Sequence, residues 1–182
     1  MTYTFTLDEN DYLTHQLFVA ANSKNAIAKR RRSWIMTTGL FLILAWLFYK
    51  NSNEFLTNYF LGAGIICAIV FPVYSRWRYK QHYRKHVNTN FSKSFGHEAS
   101  VEFLDEHFLT KDDFNSESKV SNSQIESINE LPEHFLIRLN NGQCLILPKH
   151  KIAQLEKLRA ELLELGKKIG HELTDNTNWK WK

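Results

Sequence analysis

His82 and His86 stand four residues apart, the spacing at which two side chains share one face of a helix. Two imidazoles on one face make half of a metal site, and a bound ion needs further ligands. No carboxylate or cysteine lies near them in sequence, whereas Arg78, Lys80, Arg84 and Lys85 do. That positive charge disfavours a cation, so the pair reads as exposed or interfacial histidines. Asp105-Glu106 and Asp112-Asp113 are the adjacent acid pairs of the C-terminal half, and both fall at expected turns, where acids are ordinary. The sequence has no Gly-rich phosphate loop, nucleophile motif, HExxH or paired Cys site. Cys67 lies in an apolar run and Cys144 in a strand-like one. They form no disulfide framework and fit a reducing compartment. On this reading the chain is not an enzyme: no residue is assigned a catalytic, cofactor-binding or metal-ligating role, and no cofactor is expected.

The elements around these residues explain the chain better than any site does. It has 182 residues, 43% of them hydrophobic and 14% aromatic, with a mean hydropathy of −0.38. The average hides a concentration of apolar residues in one region. Residues 33–49 and 55–75 carry no charge. At about 1.5 Å per residue they span roughly 25 Å and roughly 31 Å, enough to cross a bilayer. Trp34 and Tyr49 mark the ends of the first run, where amphipathic rings favour the interface. Gly62 and Gly64 permit close helix approach, and Pro72 is placed to bend the second helix near its exit. The connection, Lys50-Asn-Ser-Asn-Glu54, is short enough to force an antiparallel hairpin, with both termini on one side. Lys24, Lys29, Arg30, Arg31 and Arg32 precede the hairpin, and Arg76, Arg78, Lys80, Arg84, Lys85 and Lys93 follow it. The positive-inside rule places these flanks, and hence both termini, in the cytoplasm. They face anionic lipid there. The net charge of +4 belongs to these flanks. Beyond Glu98 acids outnumber bases, so the chain is not read as binding nucleic acid.

The first 32 residues read as a short strand at Tyr3–Leu7, a helix capped by Asp8 and running to about Ser23, and a basic flank. Leu13, Leu17 and Ala20 or Ala21, with Tyr12 and Phe18 alongside, give that helix an apolar face. Its early acids Asp8, Glu9 and Asp11 favour packing on the C-terminal domain over lying on anionic lipid. Residues 76–97 continue the second membrane helix as a basic juxtamembrane segment. Residues 98–170 then alternate as strands near 99–104, 107–111, 117–121, 124–128, 134–139 and 144–147, with Ile125 and Ile128 facing inward. Asn141-Gly142 marks a hairpin between the fifth and sixth of these strands. Pro148 ends the last strand. A helix at about 151–168 buries a stripe of Ile152, Leu155, Leu158, Leu162, Leu165 and Ile169, and Gly170 stops it. The expected fold class is α+β, a small antiparallel sheet or partial barrel closed by a C-terminal helix. Residues 171–182 read as a flexible tail.

Tyr3–Leu7, Asp11-Tyr-Leu13, Lys29-Arg-Arg-Arg-Ser33 with the hairpin after it, Ser123–Ile128, Phe135-Leu-Ile137 and Ile146-Leu-Pro-Lys149 together resemble the YcxB-like family of bacterial membrane proteins. The resemblance covers nearly the whole chain. It implies a C-terminal fold similar to pleckstrin-homology domains, a location in the bacterial inner membrane, and no catalytic residues. The expected role is a membrane-anchored interaction module that binds a protein partner or a second copy. A homo-oligomeric scaffold or lipid-surface sensor is the alternative. A transporter is disfavoured, because the two runs hold no intramembrane charge.

Overall fold

The computed structural model describes residues 1–113 and 116–181. Phe114 and Asn115 of the expected 98–170 domain, and Lys182 of the expected tail, lie outside the described residues. The elements are β1 (Thr2–Thr6), α1 (Glu9–Asn22), α2 (Lys24–Lys50), α3 (Glu54–Phe91), β2 (Glu98–Phe103), β3 (His107–Asp112), β4 (Glu117–Ser121), β5 (Ile125–Glu130), β6 (His134–Leu139), β7 (Cys144–Pro148), α4 (Leu155–Ile169) and β8 (Leu173–Asp175). They fall into two compact units. One is Met1–His15 with His86–Lys180; the other is Gln16–Lys85 with Trp181–Lys182.

The first unit is α+β, with two four-stranded sheets ordered β1-β2-β3-β4 and β7-β6-β5-β8. All strand pairs are antiparallel except β5 with β8. Two expectations about domain limits need correction here. The N-terminal strand does not form a segment of its own: β1 pairs along β2 from Thr2↔Glu102 to Thr6↔Glu98, burying Tyr3 and Phe5 in the core. Nor is the tail free of structure, since Leu173–Asp175 pairs with Ile128–Glu130. Gly166 makes room for this return, because a Cβ there would meet the His171 carbonyl oxygen at 2.7 Å.

The inward placement of both Ile125 and Ile128 conflicts with strict alternation, which puts residues three apart on opposite faces. Both are nevertheless buried. The register shift between Ile125 and Ser127 resolves the conflict, since a bulge adds one residue and turns the side chain around. The Asn-Gly hairpin forms with Gly142 at φ +84, Leu139 accepting from Gly142 N–H and donating to the Gln143 carbonyl. It is a three-residue loop with glycine in the left-handed position. The closing helix begins later than expected. Lys149–Lys151 form one 3₁₀ turn and Ile152 is extended, so α4 starts at Leu155. Leu158, Leu162 and Leu165 fill the core from α4, with Leu155 and Ile169 at its margin. Gly170 in the left-handed region ends the helix.

In the second unit α2 and α3 are each long and apolar enough to cross a membrane. They form an antiparallel hairpin: Phe48 stacks on Phe60 with ring centroids 5.3 Å apart, and a Cβ on Gly64 would sit 3.3 Å from that of Phe41. Gly64 thus serves the helix contact, whereas Gly62 has nothing within 4 Å of its missing Cβ. Trp34 also joins the two helices. Pro72 has no N–H to give to the carbonyl four residues back, at Ala68, and the Trp34 indole N–H donates to that carbonyl at 3.2 Å. α2 begins at Lys24, capped by the Ser23 hydroxyl, so the basic flank is itself helical. Trp181 rejoins this unit. Its indole N–H donates to the Arg76 carbonyl at 3.3 Å, and the Arg30 guanidinium lies 4.9 Å from its ring centre.

Candidate functional site

Among the described residues, the polar or charged ones that the first unit buries are Asp11, Asn122, Glu130 and His134. Three of them belong to two charged networks that the sequence does not announce. Asp8 caps α1 as expected, its Oδ1 accepting from the N–H groups of Asn10 and Asp11. That cap aims the next residues of the first turn at the sheet. Asp11 is 2% exposed and His134, at the start of β6, is 3% exposed. His134 Nε2 meets Asp11 Oδ1 at 2.8 Å. Lys151 Nζ donates to Asp11 Oδ2 at 2.7 Å and to Asp8 Oδ2 at 2.8 Å. The Asp8 backbone N–H donates to Asp11 Oδ2 as well.

Burial pushes the Asp11 carboxyl pKa up, but the hydrogen bonds from His134, Lys151 and the Asp8 N–H outweigh it and hold the group well below the usual carboxylate range. Burial likewise pulls Lys151 down, and bonding to Asp11 and Asp8 more than reverses that. Asp11 is therefore ionised and Lys151 protonated. His134 Nδ1 is buried with no hydrogen-bond partner, so Asp11 is the ring's hydrogen-bond partner, at Nε2. Tyr12, on the same turn of α1, stacks on Phe91 with centroids 4.8 Å apart. Burial raises its hydroxyl pKa. The expectation that this amphipathic turn packs on the C-terminal domain holds for Asp11, through ionic contacts with His134 and Lys151, whereas Tyr12 packs on Phe91 and Phe95 of the segment before that domain.

The second network centres on Glu130, at the end of β5. Lys149 Nζ lies 2.8 Å from its Oε1, and Arg159 Nε of α4 lies 3.2 and 3.1 Å from its two oxygens. Lys149 also sits 4.7 Å from the centre of the Phe135 ring. Together the two networks tie β5, β6, the turn after β7, α4 and the N-terminal segment to one another.

This chemistry holds structure in place. Asp8, Asp11 and His150 offer ligand atoms within 4.8 Å of one another. The Lys151 ammonium already bridges the two carboxylates, and a metal ion would have to displace it. His82 and His86 belong to no such grouping among the described residues; His86 Nδ1 instead meets the Asn90 amide at 3.0 Å. Asp105 pairs with Lys168, and Asp113 accepts from the Glu98 N–H. The Cys144 thiol is pushed up to about 12 by burial, which the nearby Arg138 charge only partly offsets. It is a poor nucleophile in that state. Tyr3 is pushed up to about 12 by burial and by the charge of Glu161, so it stays a neutral phenol.

Residues 103–162 match the family model described as YcxB-like protein. This stretch is a YcxB-like domain. No curated protein and no solved structure matches the chain. The YcxB-like stretch contains Glu130, His134, Lys149, Lys151 and Arg159, but not Asp8 or Asp11. The domain therefore takes a buried carboxylate partner for His134 from a segment about 120 residues earlier. No local signal marks that pairing. The nearest hint is complementary charge, with Asp8, Glu9 and Asp11 at one end of the chain and Lys149, His150 and Lys151 at the other.

Proposed function

We propose that this chain is a membrane-anchored, non-enzymatic interaction module whose YcxB-like domain works at the cytoplasmic face of the bacterial inner membrane. The observation that carries the reading is the surface of α2 and α3. Met36, Leu40, Ile43, Ile66, Ile69, Val73 and Trp77 are each more than half exposed, and they recur at three- and four-residue spacing along α2 and α3. In water that area would be strongly unfavourable, and in hydrocarbon it is at home. The helix ends carry bases and aromatic rings suited to the interface, and the basic flanks support an orientation with both termini in the cytoplasm. Four strands in one sheet, three antiparallel strands in the next and a closing helix support a fold like that of pleckstrin-homology domains. The buried charged groups of the first unit, Asp11, Glu130 and His134, are engaged in structural pairing, which favours binding over catalysis.

The partner is a protein or a second copy of the chain. Self-association draws specific support from Gly62, which leaves a groove of about 610 Å³ on α3 bordered by Ala63, Ile66 and Cys67. The test is crosslinking of the full chain in its own membrane at native level, with mass spectrometry of what is captured. Reproducible capture of one distinct protein through residues 98–170 supports the module. Capture of further copies alone turns the reading to a homo-oligomeric scaffold. Capture of neither rejects both and leaves a lipid-surface sensor. Recovery of the chain in the alkaline-carbonate supernatant would sink the membrane reading itself.

A further inference from the structure

The basic segment ahead of the first membrane run is helical, and the helix sorts its charges onto different faces. Lys24, Ile27, Arg31 and Ile35 recur at three and four residues and share one face of α2, with Arg32 and Met36 beside them. These six residues border a single groove of about 430 Å³. All six are exposed. Lys24, Arg31 and Arg32 have no acidic partner among the described residues, and α2 contains no Asp or Glu. Arg30 points elsewhere and is engaged by the Trp181 ring. The groove is thus cationic ahead of the apolar run and apolar where α2 enters that run, with Ile35 51% and Met36 64% exposed.

We propose that this face of α2 is a seat for one anionic phospholipid. It rests on the membrane reading above and deepens it. The lipid phosphate lies between the Arg31 and Arg32 guanidinium groups, each able to give paired N–H donors to phosphate oxygens. Lys24 closes the site on the water side. The first methylenes of an acyl chain run along Ile35 and Met36. A diffuse basic flank attracts anionic lipid in proportion to its total charge. A seat depends on which face the charge occupies.

The experiment uses the full chain purified in mild detergent and titrated with palmitoyl-oleoyl phosphatidylglycerol, with bound lipid counted by native mass spectrometry. Arg31→Gln/Arg32→Gln is compared with Lys29→Gln/Arg30→Gln, which removes the same charge from other faces. At roughly 5-fold per basic group near the lipid, the first pair should weaken retention of one lipid on the order of 30-fold. The second should leave it close to wild type, and phosphatidylcholine should not substitute. Equal loss in both pairs, no loss in either, or equal retention of phosphatidylcholine overturns the seat. Carbonate extraction of the membranes from which the chains are purified separates the two ideas. A wild-type chain that resists extraction but shows no face dependence sinks only the seat; one that is extracted sinks the seat and the membrane reading together.

Discussion

Replacing Asp11 by alanine tests whether the buried network holds the N-terminal segment on the YcxB-like domain. The side chain accepts three hydrogen bonds, from His134, Lys151 and the Asp8 N–H. Removing one member of a buried charged pair typically costs about 3–5 kcal/mol, because the other members stay behind without compensation. Here His134 would be left with no partner at either nitrogen, since Nδ1 already lacks one. Lys151 would keep Asp8, which moves the expected loss towards the lower end, about 3 kcal/mol. Asp8→Ala is the internal comparison. Its carboxylate is half exposed, so its ion pair with Lys151 contributes under about 1 kcal/mol. Loss of the helix cap adds about 1 kcal/mol. The assay is chemical unfolding of the full chain in detergent by far-ultraviolet circular dichroism, with amide exchange read at 8–14 and 134–139. Asp11→Ala should speed exchange in both segments together. A cycle with His134→Ala should show coupling of about 1–3 kcal/mol. If Asp11→Ala costs no more than Asp8→Ala, or if the Asp11 and His134 effects simply add, the network does not join the two segments and the reasoning fails.

Three further outcomes are expected. Trp34→Phe removes the donor to the Ala68 carbonyl and should destabilise the hairpin by about 0.6–1.7 kcal/mol. In a Pro72→Ala background that carbonyl regains its helical partner, so the same change should cost almost nothing; an undiminished cost there, by denaturation in mixed micelles, refutes the pairing. Stability should fall on acidification below about pH 6.5, because burial and the Arg138 charge lower the His15 pKa to about 4. The unfolded chain then binds the extra proton between those values, a loss of up to about 3 kcal/mol by pH 4. Below about pH 4 the depressed Asp11 carboxyl adds to the loss as the unfolded chain takes up its proton. His15→Gln should flatten only the upper part of the unfolding-versus-pH curve, and an unchanged curve rejects the assignment. Gly166→Ala should cost about 1–3 kcal/mol by forcing the new methyl against the His171 carbonyl, and should release exchange protection at 173–176 before that of α4.

Much of this protein is written locally in its chain. The two uncharged runs, the basic flanks, the Asn141-Gly142 turn, the Asp8 cap and the leucine stripe of α4 each rest on residues within a few positions of one another. Periodicity and charge reach that far, and they sufficed for the α+β class and the hairpin. The tertiary structure decided what depends on pairing distant segments. It placed β1 on β2 and β8 on β5, since a strand's hydrogen-bonding groups are the same whichever edge they meet. The bulge that turned Ile125 and Ile128 to one face also arose there, because inward direction is set by the sheet as a whole. Pro72 was visible as a missing donor, but nothing in the chain said that the indole of Trp34 would fill the gap. Likewise Asp11, His134 and Lys151 are ordinary residues at their own positions. Only the fold removes water from around them, and that desolvation turns three exposed-type side chains into one buried, charge-balanced joint.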